Sequence, residues 1–378
     1  MGSDTGNHNS RDRAHRIYGA VPELTEVHGM GVNLRDLIPK TAREETEIKK
    51  LKGKIIALDA YNILYQFLAA IRQPDGTPLM DREGRITSHL SGLFYRTINM
   101  AEQGVKPVYV FDGMPPELKK AELARRMKLR EEAERKLESA KRAGLREEAR
   151  KYAVQAVRLT RDMADEAKRL LDAMGIPWVQ APSEGEAQAA YIAAKGDAWA
   201  AGSQDYDSLL FGAPRLVRNL AITGRRKLPG RNVYIEVKPE VIYLDKLLRE
   251  LGISREQLIV IGILLGTDYN PKGIPGFGPK TALRHVRAYS NPEKALRAVE
   301  SKAGGYDLFA IYKYFINPEV TDNYTIKFRP PDENAVQRIL VEEHDFNPDR
   351  VKRALERLKK AYREHLRARQ TGLDAWFG

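Results

Sequence analysis

The chain contains no cysteine. That excludes disulfides, thiolate zinc sites and cysteine nucleophiles, so any bound metal must rest on oxygen or imidazole ligands. Long apolar runs are missing as well: none approaches the roughly 20 residues that span a bilayer. Residues 1–29 have no apolar centre of the kind a signal peptide requires. A soluble, intracellular protein without a membrane partner is expected. Acidic residues are outnumbered, 51 Asp and Glu against 63 Lys and Arg, for a formal net charge of +12. Such a surplus favours a polyanionic partner, because each cation that displaces a condensed counterion strengthens binding to phosphate. The plain alternative is a soluble basic protein. Apolar residues reach 42% and charged residues 30%, too apolar for disorder and rich in charge, a composition that also suits a thermophile.

At 378 residues the chain has room for one large domain or two ordinary ones. Residues 1–29 are polar and without period, and read as a disordered extension; patterned sequence begins near Met30. The short runs Lys54–Ala60, Pro107–Asp112, Ile176–Gln180 and Ala198–Gly202 read as buried strands. Ile86–Glu102 and Leu159–Met174 carry helical periodicity between them. Strands separated by helices imply an α/β fold on a mostly parallel sheet. Arg215–Leu220 and Asn232–Glu236 flank Gly224-Arg225-Arg226-Lys227 and read as a basic hairpin at the sheet edge. Glu117–Lys168 is dense in Arg, Lys, Glu and Ala with Gly144 as its internal breaker, and reads as two inserted helices. Charged helices are usually solvated surface. From Leu258 the chain reads as helical, with Asn347-Pro348 starting a last helix to about Leu366. Nine Lys or Arg against two Glu between Arg350 and Arg369 make that helix basic, which solvation alone would also explain.

Acids recur in one setting. Asp59 and Asp112 close strands; Glu184 and Glu186 follow the strand Ile176–Gln180; Asp205 and Asp207 follow Ala198–Gly202. Asp268 follows the apolar run Ile259–Leu265. In a parallel sheet the carboxyl ends of the strands share one edge, where ligands bind. Seven converging carboxylates would repel one another unless cations neutralise them, and hard oxygen donors select Mg²⁺ or Mn²⁺. Two ions about 3.5–4 Å apart would activate water and stabilise the attacking and leaving oxygens of a phosphodiester. Any one of these acids alone reads as a turn residue, a helix cap or a surface ion pair.

Five stretches containing these acids resemble motifs of the archaeal-type flap endonucleases, XPG-like structure-specific 5′ nucleases. They are LDAYNILYQFL around Asp59, VYVFDGMPPELKK around Asp112, APSEGEAQAAY around Glu184 and Glu186, SQDYDSLLFG around Asp205 and Asp207, and GILLGTDYNPKGIPGFGPKTA around Asp268. The resemblance runs from about Met30 to the C-terminus. It implies a PIN-like parallel sheet flanked by helices, with a helical arch insertion and a helix–two-turn–helix DNA-binding element. The implied divisions are a nuclease region at 30–135, the arch at 113–168, a second nuclease region at 150–285 with the helix–two-turn–helix at 257–290, a helical region at 291–366, and a clamp-binding tail at 367–378. The implied activity is cleavage of 5′ DNA flaps, with 5′–3′ exonuclease activity, in Okazaki fragment maturation and repair. Asp59, Asp112 and Glu186, supported by Glu184, would hold one ion; Asp205, Asp207 and Asp268, sharing Glu186, the other. Neighbouring readings within this fold are a 5′ exonuclease, a bubble-cutting repair nuclease and a PIN-type RNase; a silent DNA-binding protein would gain little from so many acids.

The resemblance also places substrate contacts. Lys119 and Arg126, seven residues apart and so on one helix face, would stabilise charge at the scissile phosphate. Tyr65 would stack an unpaired base, whereas its spacing alone reads as a core tyrosine. The family begins Met-Gly, matched by Met30-Gly31, and its terminal glycine lies near the junction, where a 29-residue extension would stand. Gly266 and Asp268 are expected DNA contacts, and Gly276, Gly278 and Lys280 fall in the glycine-rich turn Gly273–Thr281 expected to grip duplex DNA, where glycines admit close approach and a helix start offers N–H groups to phosphate. K⁺ assists there in relatives. Gln370, Leu373, Trp376 and Phe377 fit the sliding-clamp motif Q-x-x-[LIM]-x-x-[FW]-[FW], a short helical turn with its apolar side chains in a pocket. A monomer is expected, cytoplasmic in an archaeal-type cell and nuclear in a eukaryotic one.

Overall fold

The computed structural model describes residues 32–377 apart from 74–76, 223 and 228–233; the side chains of 222–236 and 367–377 lie outside the description as well. Strands β1 (Arg43–Glu45) and β2 (Ile55–Asp59) precede helices α1 (Ala60–Ala70) and α2 (Ser88–Glu102). Strand β3 (Lys106–Phe111) leads to α3 (Lys120–Arg142), α4 (Arg146–Gln155) and α5 (Arg161–Met174), then to β4 (Trp178–Gln180) and α6 (Gly185–Lys195). Next come β5 (Ala200–Gly202), α7 (Asp207–Leu210), β6 (Arg215–Arg218), β7 (Gly224–Lys227), β8 (Tyr234–Val237) and β9 (Glu240–Tyr243). The rest is helical: α8 (Leu244–Leu251), α9 (Arg255–Leu265), α10 (Pro279–Arg287), α11 (Pro292–Arg297), α12 (Leu308–Ile316), α13 (Glu333–Gln337) and α14 (Pro348–Phe377).

The main sheet has the order β1-β9-β6-β5-β2-β3-β4. The five strands from β6 to β4 run parallel, and β9 and β1 add antiparallel pairs at the other edge. Side chains alternate across a strand, and the sheet divides its apolar residues accordingly. Ile56 and Leu58 of β2, and Tyr109 and Phe111 of β3, join one core layer. Ala57, Val108 and Val110 join the other. Helices α1, α2, α5 and α14 cover the first layer, and α6 and α9 pack against the second. With both faces buried, these strands read as continuous apolar runs.

The hairpin reading of Arg215–Leu220 is corrected. Arg215–Arg218 is an inner strand, paired with β5 on one side and β9 on the other. The basic residues Gly224–Lys227, taken as the turn, form β7, which pairs with β8 in a separate two-stranded sheet. Leu216 and Val217 face opposite core layers, so burial on both faces outweighed local hairpin pairing. The charged insertion does form two helices, α3 and α4, broken at Gly144, whose φ of +69° suits glycine. Residues 161–168, counted with it, belong to α5, where Ala164 and Ala167 are buried against the core. The last helix starts as expected, with Asn347 Oδ1 accepting the Arg350 N–H at 3.0 Å. It runs on to Phe377 rather than ending near Leu366. Among the described residues no helix is long and apolar enough to cross a membrane.

Candidate functional site

Parallel neighbours end side by side. Asp59 is the last residue of β2 and lies opposite Val110, two residues before Asp112. Strand β4, next to β3, delivers Pro182–Glu186; β5, on the other flank of β2, delivers Asp205 and Asp207. Five of the acids accept hydrogen bonds from backbone or side-chain donors around them. Asp59 caps α1, its Oδ1 accepting the Asn62 N–H at 3.0 Å. Asp112 Oδ1 accepts the Gly185 N–H at 2.5 Å, and a Cβ on Gly185 would lie 2.7 Å from that oxygen, so glycine there permits the contact. Glu186 Oε1 accepts from the Ser208 N–H at 3.0 Å and its hydroxyl at 2.6 Å. Asp207 Oδ1 accepts the Val32 N–H at 2.8 Å, and Asp205 Oδ2 accepts the Asn62 amide at 2.8 Å.

Two cations close the other side: Lys119, which ends a 3-10 turn just before α3 rather than sharing a face of that helix as expected, and Arg126 of α3. Lys119 Nζ lies 2.6 Å from Glu184 and 3.0 Å from Asp268. Arg126 reaches Asp268 at 2.6 Å and Glu122 at 2.8 Å. The structure thus gathers all seven acids and both cations named from the sequence. Among the described residues no three His, Cys, Asp or Glu side chains are grouped tightly enough to hold an ion between them; Lys119 and Arg126 pair with Glu184 and Asp268 instead. The donor set is nonetheless all oxygen, crowded and of one sign, which fits a hard divalent cation.

Electrostatics express the crowding. Burial, then the neighbouring Asp112 charge, pushes Asp59 up to about 8. Burial and Glu184 push Asp112 up to about 6, and burial and Asp59 push Glu186 up to about 8. Asp205 and Asp207 lie well above the ordinary carboxylate range through burial and then Glu186. Burial opposes the Lys119 charge, but Asp268, Glu184 and Asp112 outweigh it and hold the ammonium above its ordinary range.

Tyr65 is half-buried on α1 with the Arg130 guanidinium of α3 5.4 Å above its ring, between the sheet and the inserted helices. Gly276 and Lys280 are exposed and Gly278 is the N-cap of α10. Gly266 ends α9 at a φ of +108°, just before Asp268. Gly31 lies outside the described residues, next to Val32. Gln370, Leu373, Trp376 and Phe377 are on the backbone of α14, with side chains outside the description. Sequence reasoning missed Asn62, Ser208 and Glu122, which bind the acids or their cations. Asn62 was findable, three residues after a helix cap; Ser208 needed the fold.

Residues 30–133 match the XPG N-terminal domain family, and residues 175–268 match the XPG I-region. The chain is 68% identical over 352 residues to flap endonuclease 1 of Aeropyrum pernix, covering 92% of this chain and 100% of that protein. It superposes on the flap endonuclease-1 from Methanococcus jannaschii with a TM-score of 0.69 at 44% identity, covering 88% of this chain and 98% of that one. The catalytic core of Rad2 in complex with DNA substrate shares the fold at a TM-score of 0.63 and 24% identity, over 87% of this chain and 99% of that one. On this evidence the chain belongs to the flap endonuclease family.

Proposed function

We propose that this chain is a structure-specific endonuclease that hydrolyses DNA phosphodiesters at the base of 5′ flaps. The observation that carries the reading is one cleft in which acids from four strand ends and α9 face Lys119 and Arg126 of the charged insertion. Asp59, Asp112 and Glu186, with Glu184, would hold one Mg²⁺; Asp205, Asp207 and Asp268, sharing Glu186, the other. Mn²⁺ shares the same oxygen preference. The two ions would supply water activation and stabilisation of both reacting oxygens. The chain's own residues do the rest. Lys119 and Arg126 hold positive charge where the scissile phosphate would enter, and Tyr65 offers a ring on which a freed base stacks. Gly31, Gly266, Gly276, Gly278 and Lys280 would contact duplex DNA, with K⁺ assisting at the turn. The deciding experiment is cleavage of a double-flap DNA, with and without chelator, beside ribose-containing, nicked and bubble versions. Mg²⁺-dependent cutting at the 5′ flap base is expected; preference for the ribose or bubble substrate would overturn the assignment.

The raised carboxylates set a pH signature. Without metal, the folded protein holds protons on Asp59 and Glu186 up to about pH 8, whereas the unfolded chain releases them near pH 4. The unfolded state therefore gains as pH climbs between these values, and stability falls. Divalent cations compete with those protons. Calorimetry is expected to show the chelated protein melting lower at about pH 8 than at about pH 5, and Mg²⁺ raising the melting temperature more at the higher pH. Equal Mg²⁺ effects at both would count against ion binding by these acids.

The tail is proposed to dock on a sliding clamp through Gln370, Leu373, Trp376 and Phe377. Replacing both Trp376 and Phe377 with alanine is expected to abolish clamp stimulation and leave basal cleavage unchanged, because buried aromatic anchors dominate such contacts. Equal stimulation of mutant and parent would remove the docking role.

A further inference from the structure

Asn62 touches two acids that follow different strands. Its backbone N–H donates to Asp59 Oδ1 at 3.0 Å, and its side-chain Nδ2 donates to Asp205 Oδ2 at 2.8 Å. Its remaining polar atom, Oδ1, accepts from the Gln66 amide one helical turn later. Both side chains are buried, at 6% and 5% exposure. The Gln66 contact fixes which way the Asn62 amide points. With Oδ1 engaged, the NH₂ end faces Asp205; turned over, it would set two oxygens together whenever Asp205 is ionised, as a bound cation would keep it. Gln66 Oε1 has no partner among the described residues, so the glutamine spends its donor on Asn62 and leaves its acceptor unmatched. A buried acceptor left unmatched is costly.

We propose that Asn62, oriented by Gln66, is a positioning residue that holds Asp59 and Asp205 in fixed register for divalent-cation binding. The inference rests on the acidic cleft being a cation site. A neutral amide suits the position: a lysine would compete with the cation, and another carboxylate would add to the repulsion already raising both acids. Because Asp59 ends β2 and Asp205 follows the neighbouring β5, the two donors of this one residue, its backbone N–H on Asp59 and its side-chain amide on Asp205, tie the two acids together before a cation binds.

The test is Mn²⁺ binding to the full chain without DNA, followed by electron paramagnetic resonance of free Mn²⁺, for the parent, Asn62→Leu, Gln66→Leu and the double variant. Asn62→Leu is close in size and lacks the donor. It is expected to weaken Mn²⁺ binding about 10–100-fold, as loss of an outer-shell partner typically does. Gln66→Leu should weaken it less, and the double variant no more than Asn62→Leu alone, because one relay is lost in both. Cleavage should fall in kcat with KM for DNA unchanged; a packing role alone would move the melt of the chelated protein and spare the isotherm. An Asn62→Leu isotherm that superposes on the parent's overturns the inference and leaves the cation cleft standing. A parent chain that binds no Mn²⁺ overturns both. Where Asn62→Leu does not fold, Gln66→Leu decides, and parental Mn²⁺ affinity there is equally fatal.

Discussion

Asp207→Ala is expected to bind flapped DNA like the parent and to cut it at least about a thousandfold more slowly. A bound divalent ion contributes several kcal/mol of charge stabilisation at a phosphodiester, and each 1.36 kcal/mol is a factor of ten in rate. Asp207 is buried, and its charge is felt by Asp205. Its Oδ1 accepts the Val32 N–H, a hydrogen bond that alanine gives up along with the carboxylate. At alkaline pH, where these acids ionise and repel one another, the same change should raise the melting temperature of the chelated protein by more than the lost Val32 hydrogen bond costs. Opposite signs for activity and stability separate a working ligand from a structural one. Single-turnover cleavage, fluorescence anisotropy with chelator and calorimetry measure the three quantities. Cleavage within about tenfold of the parent would remove Asp207 from the chemistry.

Lys119→Met is expected to lower kcat by about 10²–10³-fold, the range seen when one preorganised donor to a transition-state oxyanion is lost, with little change in DNA affinity. The ammonium sits between Glu184 and Asp268 and is mostly buried, so its charge acts in a low-dielectric cleft where it counts for more. Two roles are possible for such a group, and they part under one titration. As a counter-ion alone it would only shield the acids, and saturating Mg²⁺ would return kcat to the parental value. As a stabiliser of the reacting phosphate its loss persists at any Mg²⁺ concentration. The Mg²⁺ concentration for half-maximal rate should fall in the variant, since the acids lose their resident cation and attract Mg²⁺ more strongly. Full rescue at high Mg²⁺ would sink the catalytic role.

The acids were legible because the signal is local. A short apolar run that ends in Asp is read from consecutive residues, and in a parallel sheet every such ending falls on one edge. Asp59 and Asp112 needed nothing more, and the charged insertion announced itself by composition and by Gly144. The basic hairpin misled for the same reason in reverse. Leu216 and Val217 carry an apolar pattern that fits an edge strand or an inner one, and only the presence of β5 and β9 on either side decides between them.

Composition and the spacing of acids after strands were enough to determine an α/β chain with a carboxylate-lined edge. Tertiary structure alone decided which groups answer those acids. Lys119 meets Asp268 across 149 positions of chain, and Asn62 meets Asp205 across 143. Such partners leave no periodic trace, because a hydrogen bond or ion pair depends on where two side chains end in space, whereas a strand or helix repeats its environment every two or 3.6 residues.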